Sequence, residues 1–386
     1  AVAAAKAVEA GHDVVGVHMA LSSQPQECRI GSRGCCSIED AGDAARAAEI
    51  IGIPFYVWDL AQEFEQTVIT DFVEQYRVGR TPNPCVRCNE FVKFRELASR
   101  ARALGFDAVC TGHYAAIVDG EAGPELHRGA DNLKDQSYVL AVMGPEELSR
   151  VVLPLGDAPN KAWVRSEAER PGLGVSNKPD SYDICFIPEG DTRAWLGDHI
   201  TMRPGLIKDT HGEVLGEHPG AQAYTVGQRK GLALGRPAAD GKPRFVLEVR
   251  PKENEVIVGS RELLAVHEIR GIRATWAGVP VEQAARFLEE PAHLGARSEE
   301  FEVTAQVRAH ADPVRAKAYM TWAPDPEAEE EGALRLETVV RLLDPLSGVA
   351  PGQTMVLYQG TRVLGQSTIA RAYSLDREDI QETLGA

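Results

Sequence analysis

The 386 residues carry 41 Lys and Arg against 57 Asp and Glu, a formal net charge of −16, with 44% hydrophobic and 25% charged residues. That balance is globular: it argues against a disordered or fibrous chain, and no apolar run reaches the length of a membrane span. Seven cysteines with no secretory signal argue against a disulfide framework and lead us to expect reduced thiols in a cytoplasmic protein of two or three domains.

The first 115 residues alternate helix and strand. Residues 1–10 are Ala-rich and helical, and Gly11 stops them. DVVGVHMA (13–20) reads as a buried strand, and Ser37 with Asp40 resembles a capping box that opens a helix to about Ile51. PFYVWDL (54–60) is the next strand, residues 64–76 are helical, and residues 81–84 break the chain. Residues 90–104 are helical again and DAVCT (107–111) is a strand. Strands separated by helices predict a doubly wound parallel sheet, whose ligands lie beyond the carboxyl ends of its strands. Met19, the Cys85 to Cys88 segment, Gly112 and His113 all fall there.

Residues near 150–178 then read as helical, and those near 195–262 as short strands between Gly and Pro. From about 263 the pattern is all-β. Residues 281–300 and 324–332 read as surface insertions with no assignable chemistry. The expected domains are residues 1–150 with about 179–193, residues 151–178 with 194–262, and residues 263–386.

Cys85 and Cys88 form a C-x-x-C in TPNPCVRCNE. Half a zinc site, a nucleophilic thiol and ligation of an iron–sulfur cluster all compete for this motif. A second C-x-x-C is absent, which disfavours structural zinc, so no zinc site is expected. Arg80, Arg87 and Lys93 flank the motif, and nearby cations favour thiolate. Pro82 and Pro84 hold the segment extended. Cys185, in KPDSYDICFIPEGD, reads on its own as a small core residue on a strand, and Cys110 reads as core. Cys28, Cys35 and Cys36 lie in a Gly/Ser-rich loop and take no assignment.

The negative total conceals two basic islands. Residues 77–102 hold seven Arg and Lys against Glu90 and Glu96, and residues 226–256 hold seven against four acids. Either an ordinary solvated face or a local phosphate contact fits them. GQRKGLAL (227–234) is a basic turn between glycines, of the kind that meets a phosphate. TGHYA ends a strand, and RGADNLKDQSYVL places Lys134, Asp135 and Gln136 before an apolar run.

Read together, VVGVHMALS, GRTPNPCVRCN, TGHYA, RGADNLKDQSYVL, LPLGD, KPDSYDICFIPEG, YTVGQRKGL and VAPGQTMVLY resemble, in order, the tRNA-specific 2-thiouridylase family. The resemblance implies an adenine-nucleotide alpha-hydrolase-like sheet, a small central tRNA-binding domain and a C-terminal β-barrel. It implies that ATP, with Mg2+, adenylates the wobble uridine (position 34) at its C2 oxygen, and that a persulfide sulfur then displaces AMP. Cys185 would carry the persulfide, and Cys88 would be its partner thiol, attacking it or closing a disulfide with it. Met19 and Gly112 would lie at ATP, and Asn83, Pro84 and Cys85 at the target base. His113, Lys134, Asp135, Gln136, Arg308 and Gln353 would lie at tRNA, with Ala309 offering backbone alone. The family acts on tRNAs for Glu, Gln and Lys, and a cysteine desulfurase or relay protein would donate sulfur.

Two features depart from the family. Its Ser-Gly-Gly-x-Asp-Ser phosphate loop and first strand would precede AVAAAKAVEAG, so weak ATP binding and a sheet short of a central strand are expected. Where many relatives carry aspartate, Cys85 supplies a third thiol. These departures keep two alternatives in view: a thiolase dependent on a [4Fe-4S] cluster held by Cys85, Cys88 and Cys185, and a non-catalytic tRNA-binding protein.

Overall fold

Apolar spacing at helical and strand periods sets the order of elements in the first third of the chain. In a computed structural model, the structure describes residues 1–22, 38–170, 173, 184–187, 190–232, 234, 241–277, 293–328, 330 and 332–374. The predicted Ser37 cap, the loop cysteines Cys28, Cys35 and Cys36, and most of the 281–300 insertion lie outside these residues.

A helix at Val2–Glu9 ends at Gly11, whose φ of +87° suits glycine. Strand β1 (Gly16–Ala20) runs parallel to β2 (Phe55–Asp59), with the helix Ile38–Ile51 between them in sequence. Strands β3 (Val109–Cys110) and β6 (Val151–Val152) form a second parallel pair. Among the described residues the two ribbons do not pair with each other. The space between them is a cavity of about 1040 Å³. Residues 150–160, predicted helical, instead hold β6 and a turn, and the helix occupies Lys161–Glu169 with Asn160 as its cap.

Two helical rods cross beside β2. The first runs through Ala61–Phe64, Glu65–Ile69 and Thr70–Arg77, and the second through Pro84–Arg87, Cys88–Leu97 and Ala98–Ala103. The middle segment of each is π-helical. In the first rod the Thr67 hydroxyl donates to the Glu63 carbonyl at 2.6 Å and that of Thr70 to Glu65 at 2.9 Å, satisfying carbonyls that the widened turn displaces. The second rod starts six residues earlier than its apolar spacing predicts, because Pro84 fits the first helical turn and the Asn83 side chain accepts from the Val86 amide.

β4 (Ala115–Gly120) and β5 (Gly123–Arg128) form a hairpin that leaves the parallel region. A four-stranded sheet follows, ordered β8 (Val214–His218), β7 (Gly205–Lys208), β10 (Glu255–Gly259), β9 (Phe245–Arg250), over a core of Ile207, Tyr224, Val246, Val256 and Val258. The last third is the predicted all-β region. It comprises β11 (Ala265–Trp276), β12 (Phe301–Gln306), β13 (Val314–Pro324), β14 (Leu334–Ser347), β15 (Thr354–Gln359) and β16 (Arg362–Tyr373). Their order is β11-β14-β13-β12-β15-β16, and β16 pairs back onto β11, so the antiparallel sheet closes into a barrel and covers its own edges. The β4–β5 hairpin adds to β16, with Arg362 opposite His127 and the Arg128 amide donating to Thr361 at 2.9 Å.

A second tie fixes that hairpin. The carbonyl of Gly156, in the turn after β6, accepts from Ala130, and a methyl at Gly156 would drive into the Ala115 carbonyl and lie 2.9 Å from the Ala116 Cα. Both obstacles are backbone and cannot rotate away. Gly156→Ala is expected to cost about 1–3 kcal/mol, read as a lowered urea midpoint at unchanged slope.

Candidate active site

The cavity between the ribbons is lined by Gly16, Val17 and Met19 of β1, by Val109 to His113 around the end of β3, and by Lys161, Val164 and Arg165 of the following helix. Its polar lining includes Lys93, Lys161 and Arg165 against Asp13 and Asp107. Crowding of positive charge is visible at Lys161, whose ammonium is held below its ordinary range by desolvation, with Lys134 and Arg165 adding repulsion. Cations gathered at the carboxyl ends of parallel strands suit a polyphosphate.

Three predicted residues meet on this wall. Met19 lines it from β1. Gly112 has only ordinary neighbours, Leu155 Cδ1 at 3.8 Å and Ala3 Cβ at 3.9 Å, so packing does not demand the glycine; it leaves the wall bare. His113 is half-buried, with Nδ1 2.9 Å from the Thr111 hydroxyl. Desolvation pushes its imidazole down to about 3, and the Lys93 charge adds to the effect. Cys110, predicted to be core, is instead exposed toward this cavity, because the edge of β3 faces it; protein on its other sides still raises the thiol by desolvation.

The thiols lie at the Met19 end. Cys88 is buried in a cluster with Leu21, Leu60, Phe64, Val68 and Val92, and Met19, Leu97, Cys185 and Phe186 pack against it. Met19 and Leu97 belong to both cavity and cluster, so thiols and cavity are contiguous. Cys185 sits in a turn, not the strand its apolar neighbours suggested: the Ile187 amide donates to Ile184 at 3.0 Å. Those neighbours anchor the turn. Phe186 packs edge-on against Phe64 and Phe72, with Trp195 alongside, and Ile187 is buried with Phe72 and Tyr76. Ile184, Phe186 and Ile187 face this aromatic wall, while Cys185 packs towards Cys88, a division that only the folded contacts disclose.

Cys85, one turn before Cys88, is exposed. Among the described residues no group of three His, Cys, Asp or Glu side chains is placed to hold a metal ion. Two of the three cations flanking the motif are compensated. Arg80 pairs with Glu327 at 2.6 Å, and Arg87 pairs with Glu90 at 2.8 Å and Asp71 at 3.4 Å. Arg77, Arg100 and Arg102 of the same basic island also face acids, so that island is mostly an ion-paired surface. Glu327 comes from the acidic 324–332 stretch, which thus has a structural task the sequence did not disclose.

Asn83 opens the helix that carries both cysteines, with Pro84 buried in its first turn. Asp135 and Gln136 are committed internally. Asp135 accepts from the amides of Gly129 and Ser137 and pairs with Arg128 at 3.0 Å, and Gln136 accepts from the Tyr114 amide at 2.9 Å. Arg308 donates to the Gly348 carbonyl beside Gly227, which brings it next to the Arg229 and Lys230 turn. Both of those cations are exposed, and no acid pairs with them among the described residues. Gln353 lies apart from Arg308's contact and touches the Thr81 carbonyl instead.

The family model described as tRNA methyl transferase HUP domain matches residues 1–189, the tRNA methyl transferase PRC-barrel domain matches 193–260, and the aminomethyltransferase beta-barrel domain matches 281–369. Two relatives, the tRNA-specific 2-thiouridylases MnmA of Arthrobacter sp. and Kocuria rhizophila, are each 60% identical, over 98% and 97% of this chain and 96% and 95% of their own lengths. That of Clavibacter michiganensis is 55% identical over 97% of this chain and 91% of its own. The chain belongs to the tRNA-specific 2-thiouridylase MnmA family. Its nucleotide-binding HUP domain, central PRC-barrel-type domain and C-terminal β-barrel are those of MnmA. No helix among the described residues is long and apolar enough to cross a membrane.

His113 gives this MnmA chain a pH signature. Its folded value lies below the ordinary 6.5, so the unfolded chain takes up the proton first. The contribution to stability is complete above pH 6.5 and is lost as pH falls from 6.5 towards 3. From pH 7 to pH 5 the wild type is expected to lose on the order of 1 kcal/mol more than His113→Gln, measured by urea unfolding at both pH values.

Proposed function

We propose that this chain is an ATP-dependent sulfurtransferase that makes 2-thiouridine at the wobble position of tRNA, with Cys185 as persulfide carrier and Cys88 as partner thiol. The observation that carries the reading is the shared cluster: Cys88 and Cys185, distant in sequence, pack into one apolar group that also holds Met19 of the cavity wall. Two of the matching models are described as methyl transferase, but paired thiols suit sulfur chemistry, and the relatives are named for thiolation.

In this mechanism ATP, as its Mg2+ chelate, occupies the cavity with Met19 and Gly112 beside it and the Lys93, Lys161 and Arg165 charges facing its phosphates. The uridine C2 oxygen attacks the α-phosphorus, and pyrophosphate leaves. The terminal sulfur of the Cys185 persulfide attacks C2 and AMP departs, leaving sulfur bridged between Cys185 and the base. The Cys88 thiolate then attacks Sγ of Cys185, closing a Cys88–Cys185 disulfide and releasing the thiocarbonyl. A thiol reductant reopens the disulfide, and a cysteine desulfurase or relay protein reloads Cys185. Asn83, Pro84 and Cys85 flank the base, and His113, Lys134, Arg308 and the Arg229 turn face the tRNA.

Residues 1–150 with about 179–193 carry the chemistry, while 151–178 with 194–262, and 263–386, grip tRNAs for Glu, Gln and Lys in the cytoplasm. The cluster-ligand reading is less well supported, since it needs Cys85, exposed, and Cys88, buried, to face one iron.

Cys88→Ser and Cys185→Ser are each expected to lower thiolation at least about a thousandfold with tRNA affinity within about twofold, read by mass spectrometry of tRNA nucleosides and by filter binding. Thiolation surviving in either variant rejects the two-thiol assignment. Affinity for tRNA is expected to fall steeply with salt, and Arg229→Ala with Lys230→Ala to flatten the log–log slope by about 1–2. An unchanged slope removes that turn from the interface.

A further inference from the structure

The segment that leads into the cysteine helix is held from outside its own domain. The Thr81 amide donates to the Pro351 carbonyl at 2.7 Å, and the Gln353 side-chain amide donates to the Thr81 carbonyl at 2.8 Å. Both backbone groups of Thr81 are therefore bonded by one turn of the barrel, the turn before β15. Gly352, between those two residues, has a φ of +90°, and a methyl on it would lie 2.9 Å from Arg80 Cβ and 2.9 Å from the Thr81 nitrogen. Surrounding contacts reinforce the grip. Arg80 pairs with Glu327 of the β13–β14 turn, and the Thr81 hydroxyl lies 3.4 Å from that of Thr225 in the central domain. Two residues on, Asn83 meets the Tyr138 hydroxyl, which itself donates to the Thr354 carbonyl at 2.7 Å. Gln353 is half-buried, and one of the two N–H groups of its side-chain amide is bonded to the Thr81 carbonyl.

Resting on the thiolation reading above, we propose that Gln353, beside the tRNA contact that the resemblance implies for it, is a positioning residue: with Pro351 and Gly352 it fixes the Thr81 backbone, and through it sets where Asn83, Cys85 and Cys88 stand. The physical case is geometric. A rigid loop can be misplaced by an ångström with large loss of rate, because attack at sulfur requires alignment. Pro82 and Pro84 leave this segment few conformations, so fixing Thr81 at both its N–H and its C=O propagates to the helix start. The β-barrel thereby acts on the chemistry directly, by holding the edge of the thiol site.

Gln353→Ala and Gln353→Glu (the latter keeps size and loses the donor) are compared with Gly352→Ala, which pushes on the same backbone from the barrel side. Amide exchange over residues 80–87 and alkylation of Cys88 by iodoacetamide are expected to quicken about tenfold in all three, with thermal midpoints within a few degrees of wild type. Single-turnover thiolation at saturating tRNA is expected to fall about tenfold in all three, including Gly352→Ala, which removes no side-chain group. Unchanged exchange and alkylation overturn the proposal, as does a weakened tRNA Kd at an unchanged saturating rate, which is the mark of a tRNA contact alone. Exchange and alkylation need no tRNA, so a wild-type protein that fails to thiolate rejects the function while these two readouts still judge Gln353.

Discussion

The contacts of Arg128, locked by its ion pair with Asp135, join the two halves of this molecule. The Arg128 guanidinium ends the β4–β5 hairpin, pairs with Asp135 at 3.0 Å, donates to Gln306 of β12 at 2.8 Å, and lies 3.8 Å over the Tyr358 ring. One side chain thus touches the turn below the cavity and two strands of the barrel. Asp135 is almost fully enclosed, and its oxygens order Gly129 and Ser137. A pair this buried adds little over an apolar substitute, but removing one partner strands the other charge, so it specifies one docking of hairpin on barrel. Tyr358, whose hydroxyl burial pushes up to about 12, remains neutral and shares the Ser137 hydroxyl at 3.3 Å, which closes the network.

From that docking the rest of the site follows. With the hairpin added to β16, the turn of residues 351–353 comes to Thr81 and the β13–β14 turn comes to Arg80. The central sheet then packs on the other side of the same loop, where Gly79 has Pro251 so close that a methyl would lie 2.7 Å from its ring. The cysteine-bearing helix is consequently framed by all three parts of the chain, although its own residues span only Pro84–Ala103.

Local signals in the sequence foretold local structure. Glycine at position 11, the apolar runs that became β1 and β2, and the all-β pattern from about 263 each act within a few residues, and all became the elements they indicate. What escaped depends on partners far along the chain. The π-helical segments cannot be read from spacing, since nothing local in 88–97 departs from an α pattern. Charge was the most misleading local signal. Arg80 looked like an activator of Cys88 because its neutraliser, Glu327, is 247 positions away. Cys185 was unreadable alone for the same reason: the aromatic wall that holds its turn comes from Phe64, Phe72 and Trp195.

The compensation of those cations changes what must activate the thiols. If Arg80 and Arg87 are largely balanced by Glu327, Glu90 and Asp71, the surroundings of Cys88 are dominated by apolar contact, with Leu60 and Val92 fully buried beside it. Burial slows indiscriminate oxidation and alkylation of the Cys88 sulfur by limiting access to it. It also excludes water from a persulfide that water and stray thiols would otherwise consume. Reactivity in such a site draws on alignment with Cys185 and on a substrate that brings its own charge. That places the burden of the chemistry on the backbone positions of the two turns that carry the sulfurs, one anchored by Phe186 in an aromatic wall and the other framed at Thr81 by the barrel.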